Sequence, residues 1–327
     1  MQADRRRING PPAGTVPPIF AASKKVKIEQ PSRHRRPDEH RKIFLQTGVV
    51  PSASGSAYYE IPPHLPPNNA ILVPAQSSLK ITCTVHGPRP LPRNAAFSPN
   101  LLLTTHVKFA PFATRHRRGY VRDAAERDLG VHLETALRGV LIGERWPKSG
   151  VEIVVTVLEG EEDGWWGRGR GDGGGSGWGM MGVLAGCVSV ASAALVDAGI
   201  DCVDLVSGGV AALVREDEGG DGRGRDGEAA QMVLDPAPSE HDVKAACVVA
   251  YLQSRDEITE LWMKGDAGVQ TETLIDEAVK AANLTRSVLA EAVKESVEIK
   301  MSKALETEKV NGELASGKEN KDVVMAG

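Results

Sequence analysis

Val183-Leu184-Ala185-Gly186-Cys187-Val188-Ser189-Val190-Ala191-Ser192-Ala193-Ala194-Leu195-Val196-Asp197-Ala198-Gly199-Ile200 is the stretch on which the reading of this chain turns. It consists almost wholly of Ala, Ser, Gly, Val and Leu, contains no proline, and reaches Gly199 where a helix would stop. Ser189, Ser192 and Asp197 interrupt the apolar run, which therefore falls short of a membrane span. Side chains this small let a helix lie close against a sheet or another helix.

Upstream of this helix, Val151 to Leu158 reads as a β-branched strand. Between them, the Gly/Arg/Trp-rich insert of residues 160–179 has no apolar periodicity with which to form a core. Before the strand, Ala125, Leu129, Leu133, Leu137, Val140 and Leu141 recur at helical spacing and predict a helix from Arg122 to Glu144, ended by Pro147. Further back lie three strand-like runs: Ser56 to Glu60, Leu79 to Val85 with strict alternation before the breaker Gly87-Pro88, and Leu101 to Phe109, stopped by Pro111. A Pro-rich loop from Pro62 to Pro74 separates the first two. Downstream, Val203 to Val214 and Met232 to Leu234 read as strands around a second insert, residues 216–229. Ala246 to Leu252 and Glu257 to Met263 read as a hairpin, and Leu274 to Val297 as an amphipathic helix with Ile275, Val279, Ala282 and Ala290 near one stripe. This order is mixed α/β of the α+β kind, not an alternating doubly wound sheet.

Of the 327 residues, residues 1–42 are Arg/Lys/Pro-rich and predict a basic disordered tail, and residues 299–327 a loose charged one. The domain then spans residues 43–298, and without its inserts it is roughly 230 residues, one domain by size. The net charge of −4 forbids a whole-protein claim of nucleic-acid affinity, but the basic residues gather in the N-terminal third and the acids later. Cys83, Cys187, Cys202 and Cys247 form no CxxC and no metal spacing, so reduced core thiols in an intracellular protein are expected. No apolar stretch follows the basic start, so no signal peptide is expected, and neither is any membrane association.

Gly177-Trp178-Gly179-Met180-Met181-Gly182 matches G-x-G-x-x-G, but the preceding strand ends almost twenty residues earlier, and the ribose-binding acid is missing. It reads as the end of a glycine-rich insert. Arg115-His116-Arg117-Arg118 follows a strand as a dense cationic loop; Arg115, Arg117 and Arg118 supply guanidinium groups able to fork onto phosphate oxygens, against the plainer reading of a solvated loop. Asp235 to Asp242 holds acids in a Pro-containing loop, where exposed carboxylates are commoner than metal ligands. No metal, cofactor or catalytic triad is expected from the remaining histidines and acids.

Several segments, in order, resemble the RNase PH-like family. They are Gly55-Ser56-Ala57-Tyr58-Tyr59-Glu60, Lys80 to Pro88, Phe109-Ala110-Pro111-Phe112-Ala113 with its basic loop, Glu126-Arg127-Asp128-Leu129, and Ala193 to Ile200. Leu234-Asp235-Pro236 with Ser239-Glu240 is most similar to the mRNA-transport-regulator type of ring subunit in the eukaryotic RNA exosome. The resemblance implies an RNase PH-like domain (ribosomal S5 domain 2-like) with mixed sheets packed against helices. It implies a hetero-hexameric ring with other RNase PH-like subunits, topped by S1/KH-type caps, in the nucleus (including the nucleolus) and the cytoplasm. The basic loop would lie near the RNA channel. Active members carry an Arg pair where Ala124-Ala125 stand, a cationic phosphate turn where Met180-Met181-Gly182 stand, and two aspartates, of which Asp235 would match the first and His241 the second. The resemblance thus implies a scaffold of RNA processing and degradation without catalysis. The rivals are an active phosphorolytic 3'-5' exoribonuclease and a free-standing RNA-binding module.

Overall fold

In the computed structural model, the described residues are Arg33, 35–62, 78–114, 117–161, 177–215, 230–237, Glu240 and 242–324, with side chains to Ser302. The first sheet contains β1 (Phe44–Thr47), β2 (Gly55–Ile61), β3 (Leu79–Pro90), β4 (Leu102–Phe109) and β5 (Ser149–Glu159) in the order β1-β2-β3-β5-β4. The second contains β6 (Val206–Arg215), β7 (Ala230–Leu234), β8 (Val243–Leu252) and β9 (Glu257–Gly265) in the order β7-β6-β8-β9. The helices are α1 (Ala124–Arg138), α2 (Gly179–Asp197) and α3 (Thr271–Val324).

The burial patterns follow from the layering. In β3, Leu79, Ile81, Cys83 and Val85 are fully buried while the residues between them are half-buried, so only one face of the first sheet meets the core. β6 and β8 are buried almost continuously because α2 covers one face of the second sheet and α3 the other. α2 is long and apolar enough to cross a membrane by composition alone, yet it is mostly buried between the sheets.

The small residues of α2 set the spacing of these layers. A Cβ at Gly208 of β6 would lie 2.3 Å from the Ala185 carbonyl oxygen, and one at Gly186 would lie 2.7 Å from Ile81 on β3. Ser189 Oγ donates to the Ala185 carbonyl (3.0 Å) and accepts from the Gly208 N–H (3.1 Å), and Ser192 Oγ accepts from the Val206 N–H (3.1 Å). The hydroxyls that interrupt the apolar run therefore satisfy buried backbone groups.

Several boundaries differ from the sequence expectations. Gly87-Pro88 does not break β3: the strand continues to Pro90 through a cis peptide and a register shift. α1 is shorter than residues 122–144; Asp123 caps it in a capping box with Glu126, and it stops at Gly139, well before Pro147. The first insert is narrower than residues 160–179, because Glu161 is buried and Gly179 already opens α2; residues 162–176 lie outside the described residues. Residues 216–229 and 63–77 lie outside them as well. α3 continues to Val324 and does not give way at residue 299, a span free of proline and rich in Lys, Glu and Ala. The tail expected over residues 1–42 overlaps packed structure at its end, because acids remote in sequence neutralise Arg35 and Arg41 while Arg33 donates to the Leu234 carbonyl.

Candidate functional site

The acids of residues 235–242 are not surface groups. Asp235 follows β7 in a left-handed backbone conformation (φ 47°), its N–H donating to the Val210 carbonyl at 2.9 Å. The residue is nearly enclosed, 4% exposed. Arg41 grips it in a fork, Nε to Oδ2 at 2.7 Å and Nη2 to Oδ1 at 2.6 Å, while the Arg41 backbone N–H adds a third bond at 3.0 Å. The same guanidinium pairs through Nη1 with Glu161, two residues past the end of β5.

Arg35 completes the cluster, with Nη2 at 3.1 Å from Glu240 Oε2 and Nη1 at 3.5 Å from Asp235 Oδ2. Arg33 donates to the carbonyls of Leu234, Arg36 and Glu39 at 3.1, 2.8 and 2.9 Å. Thus a short N-terminal strap is bound to the end of β7 by charge rather than by apolar contact.

The electrostatics assign different roles to the two carboxylates on Arg41. Burial works to raise the Asp235 pKa, but Arg41, His40 and Arg35 hold it well below the usual carboxylate range. Glu161 goes the other way: burial raises its pKa, and Asp235 and Glu240 reinforce that against the pull of Arg41. Its Oε2 has no hydrogen-bond partner among the described residues and lies against Gly182, in the first turns of α2, where a Cβ would approach it to 2.2 Å. The remaining void, lined by residues including His40, Arg41, Tyr59, Gly182, Gly208 and Asp235, is about 10 Å³, room for at most a single water. No group of three or more metal-ligating side chains occurs among the described residues.

The cationic loop between β4 and α1 stands elsewhere. Arg115 and His116 lie outside the described residues. Arg117 is exposed. Arg118 is folded back: its guanidinium lies 4.2 Å from the centre of the Phe109 ring and 3.1 Å from Asp123 Oδ2. Lys108 is bound to Glu126 at 3.0 Å and to the Gly119 carbonyl at 3.0 Å. Arg122 donates to His106 Nδ1 at 2.7 Å. Of the residues singled out from the sequence, Arg117 alone presents a free guanidinium among the described residues. Arg35, Arg41 and Glu161 were missed, since no local pattern joins them to Asp235.

Residues 39–201 match the 3' exoribonuclease family, domain 1 (RNase PH). The chain is 49% identical over 301 residues to exosome complex component MTR3 of Chaetomium thermophilum, covering 90% of this chain and 99% of that protein. It is 28% identical over 282 residues to human exosome complex component MTR3, covering 82% of this chain and 86% of the human protein. Rice (Oryza sativa) Rrp46 shares the fold at a TM-score of 0.58 and 16% sequence identity, over 80% of this chain and 98% of that one. With one mixed and one antiparallel sheet and three α-helices among the described residues, and a relative matched along 99% of its length, the chain belongs to the RNase PH family, in its MTR3-type exosome-component branch.

Proposed function

We propose that the chain is a non-catalytic ring subunit of the RNA exosome, supporting 3'-to-5' RNA processing and degradation by assembling with other RNase PH-like subunits and S1/KH-type caps, in the nucleus and the cytoplasm. The observation that carries this reading is the match along 99% of an exosome component at 49% identity. The site geometry supports catalytic silence. Asp235 is committed to Arg41, Glu161 lies where an anion would approach the start of α2, and about 10 Å³ of void remains. A phosphate dianion set against an RNA phosphodiester needs free cations and far more room. Arg115, Arg117 and Arg118 are assigned to the RNA path, with Arg117 as the exposed member.

Two measurements test this. Mild-salt affinity purification of the full chain should bring down other RNase PH-like subunits; recovery of the chain alone would sink the ring assignment. RNA incubated with inorganic phosphate and the purified chain should release no nucleoside diphosphates. Release that disappears in Asp235→Ala would make the chain an active phosphorolytic enzyme.

A further inference from the structure

The loop after β4 is built to hold aromatic rings in solvent. Its base is closed by backbone bonds from Arg118 N–H to the Pro111 carbonyl (3.1 Å), Ala113 N–H to Ala110 (2.9 Å) and Gly160 N–H to Ala113 (2.9 Å). Lys108, Arg118 and Arg122 are each held down onto the body of the domain, through Gly119, Phe109 and His106 respectively. On this anchored base Phe112 is 75% exposed and Tyr120 80% exposed, with Arg117 free between them in sequence. Large rings left in water on a braced loop are an unspent binding surface.

The sign of the surrounding charge favours one occupant. From Lys108 to Arg122 the chain carries Lys108, Arg115, Arg117, Arg118 and Arg122 and no acid. Lys108 and Arg118 are paired with Glu126 and Asp123, which leaves Arg117 and Arg122 without a carboxylate partner among the described residues, so cations remain in excess. Protein interfaces also use Tyr, Phe and Arg, but exposed rings beside an excess of cations suit single-stranded nucleic acid, bases on the rings and phosphates on the cations. We infer that Phe112 and Tyr120 form a stacking platform for bases of single-stranded RNA whose backbone is held by Arg117. This rests on the basic-loop reading above and deepens it: the loop grips bases by their faces, without reading sequence, besides attracting phosphates.

The test uses the full chain, alone and assembled with its ring partners, and two probes of equal length: an oligouridylate and an abasic ribose-phosphate strand. Phe112→Leu/Tyr120→Leu should weaken binding of the oligouridylate by about fivefold or more for each ring lost, the low end of the stacking range. It should leave the abasic strand unchanged. Arg117→Ala should weaken both probes alike and reduce the single-strand salt slope by roughly 0.7. If the leucine variant weakens both probes equally or neither, stacking is overturned, and an intact Arg117→Ala effect would still leave the phosphate contact standing. The reverse pattern, stacking lost in the leucine variant with no Arg117→Ala effect, would uphold the platform and remove the backbone contact. If the leucine variant melts like wild type but drops out of the assembled complex, the rings are a protein contact and the inference fails.

Discussion

Replacing Arg41 with Met should be among the most damaging single substitutions in this protein. Its side chain is 10% exposed and is the shared counter-ion of two nearly buried carboxylates, Asp235 and Glu161, whose side chains are 6% and 1% exposed. The native cluster itself adds little net stability, because the cost of dehydrating its charges offsets most of their attraction. Removing only the cation leaves Asp235 ionised and enclosed, and breaking a buried pair in this way costs about 3–5 kcal/mol. At a urea m-value of about 3 kcal/mol per molar, the unfolding midpoint should fall by roughly 1–1.7 M. Arg41→Met/Asp235→Asn/Glu161→Gln, which removes all three charges together, should recover more than half of that loss. The assay is equilibrium urea unfolding followed by tryptophan fluorescence and circular dichroism, with coincident curves required. A loss below about 1 kcal/mol for Arg41→Met, or a triple variant worse than the single, would refute the argument that a buried charge cluster ties the strap to β7.

Asp235, held ionised, contributes stability that is fully present above its unfolded pKa and is lost as pH falls through its folded one, so Asp235→Asn should flatten the acid side of the stability curve below about pH 4. Glu161, pushed upward, contributes stability below its unfolded pKa that is lost as pH rises through its folded one; Glu161→Gln should therefore cost less at pH 7 than Asp235→Asn, and urea titrations at a series of pH values check both signs. Gly209→Ala places a Cβ 2.2 Å from the Ala282 backbone nitrogen and 2.3 Å from the Ala278 carbonyl oxygen, so α3 must shift; a loss of about 1–3 kcal/mol in urea unfolding is expected, and a neutral result would contradict the packing. Replacing residues 162–176 and 216–229 by short Gly/Ser links should cost little, since loop-closure entropy changes by only about 0.6 kcal/mol per doubling of length; unfolding of the deleted protein in a thermal melt would show that these segments belong to the core. Co-expression with a second RNase PH-like subunit should raise the yield of soluble chain sharply, as β9 leaves an open strand edge carrying Ile258, Leu261 and Met263; an equally soluble chain without the partner would argue against an obligate interface.

Most elements were legible in the sequence because local rules specify them. Strict alternation located β3, β-branched density located β5, and small residues without proline located α2. The order of these elements, with their family-like motifs, was enough to expect an RNase PH-like domain. Boundaries were less legible: whether Gly87-Pro88 stops a strand depends on the β5 partner that carries the register across the irregularity. β1, with only four residues, offers no periodicity to detect.

The site was legible only in part. The sequence by itself determined which charges exist, their clustering in the loop after β4, and the absence of acid from Lys108 to Arg122. It marked Asp235 and Glu240 as acids in a Pro-containing loop, where exposure is the ordinary outcome. Only the tertiary structure decided that these acids are buried, that Arg41, 194 residues away from Asp235 in sequence, neutralises Asp235, and that Arg35 pairs with Glu240. It also decided that Arg118 folds onto Phe109 while Arg117 remains in solvent. Secondary structure follows from backbone geometry and side-chain period over a few neighbouring residues. The fate of a charge depends on which distant groups the fold brings within about 4 Å, and on how much water it removes on the way.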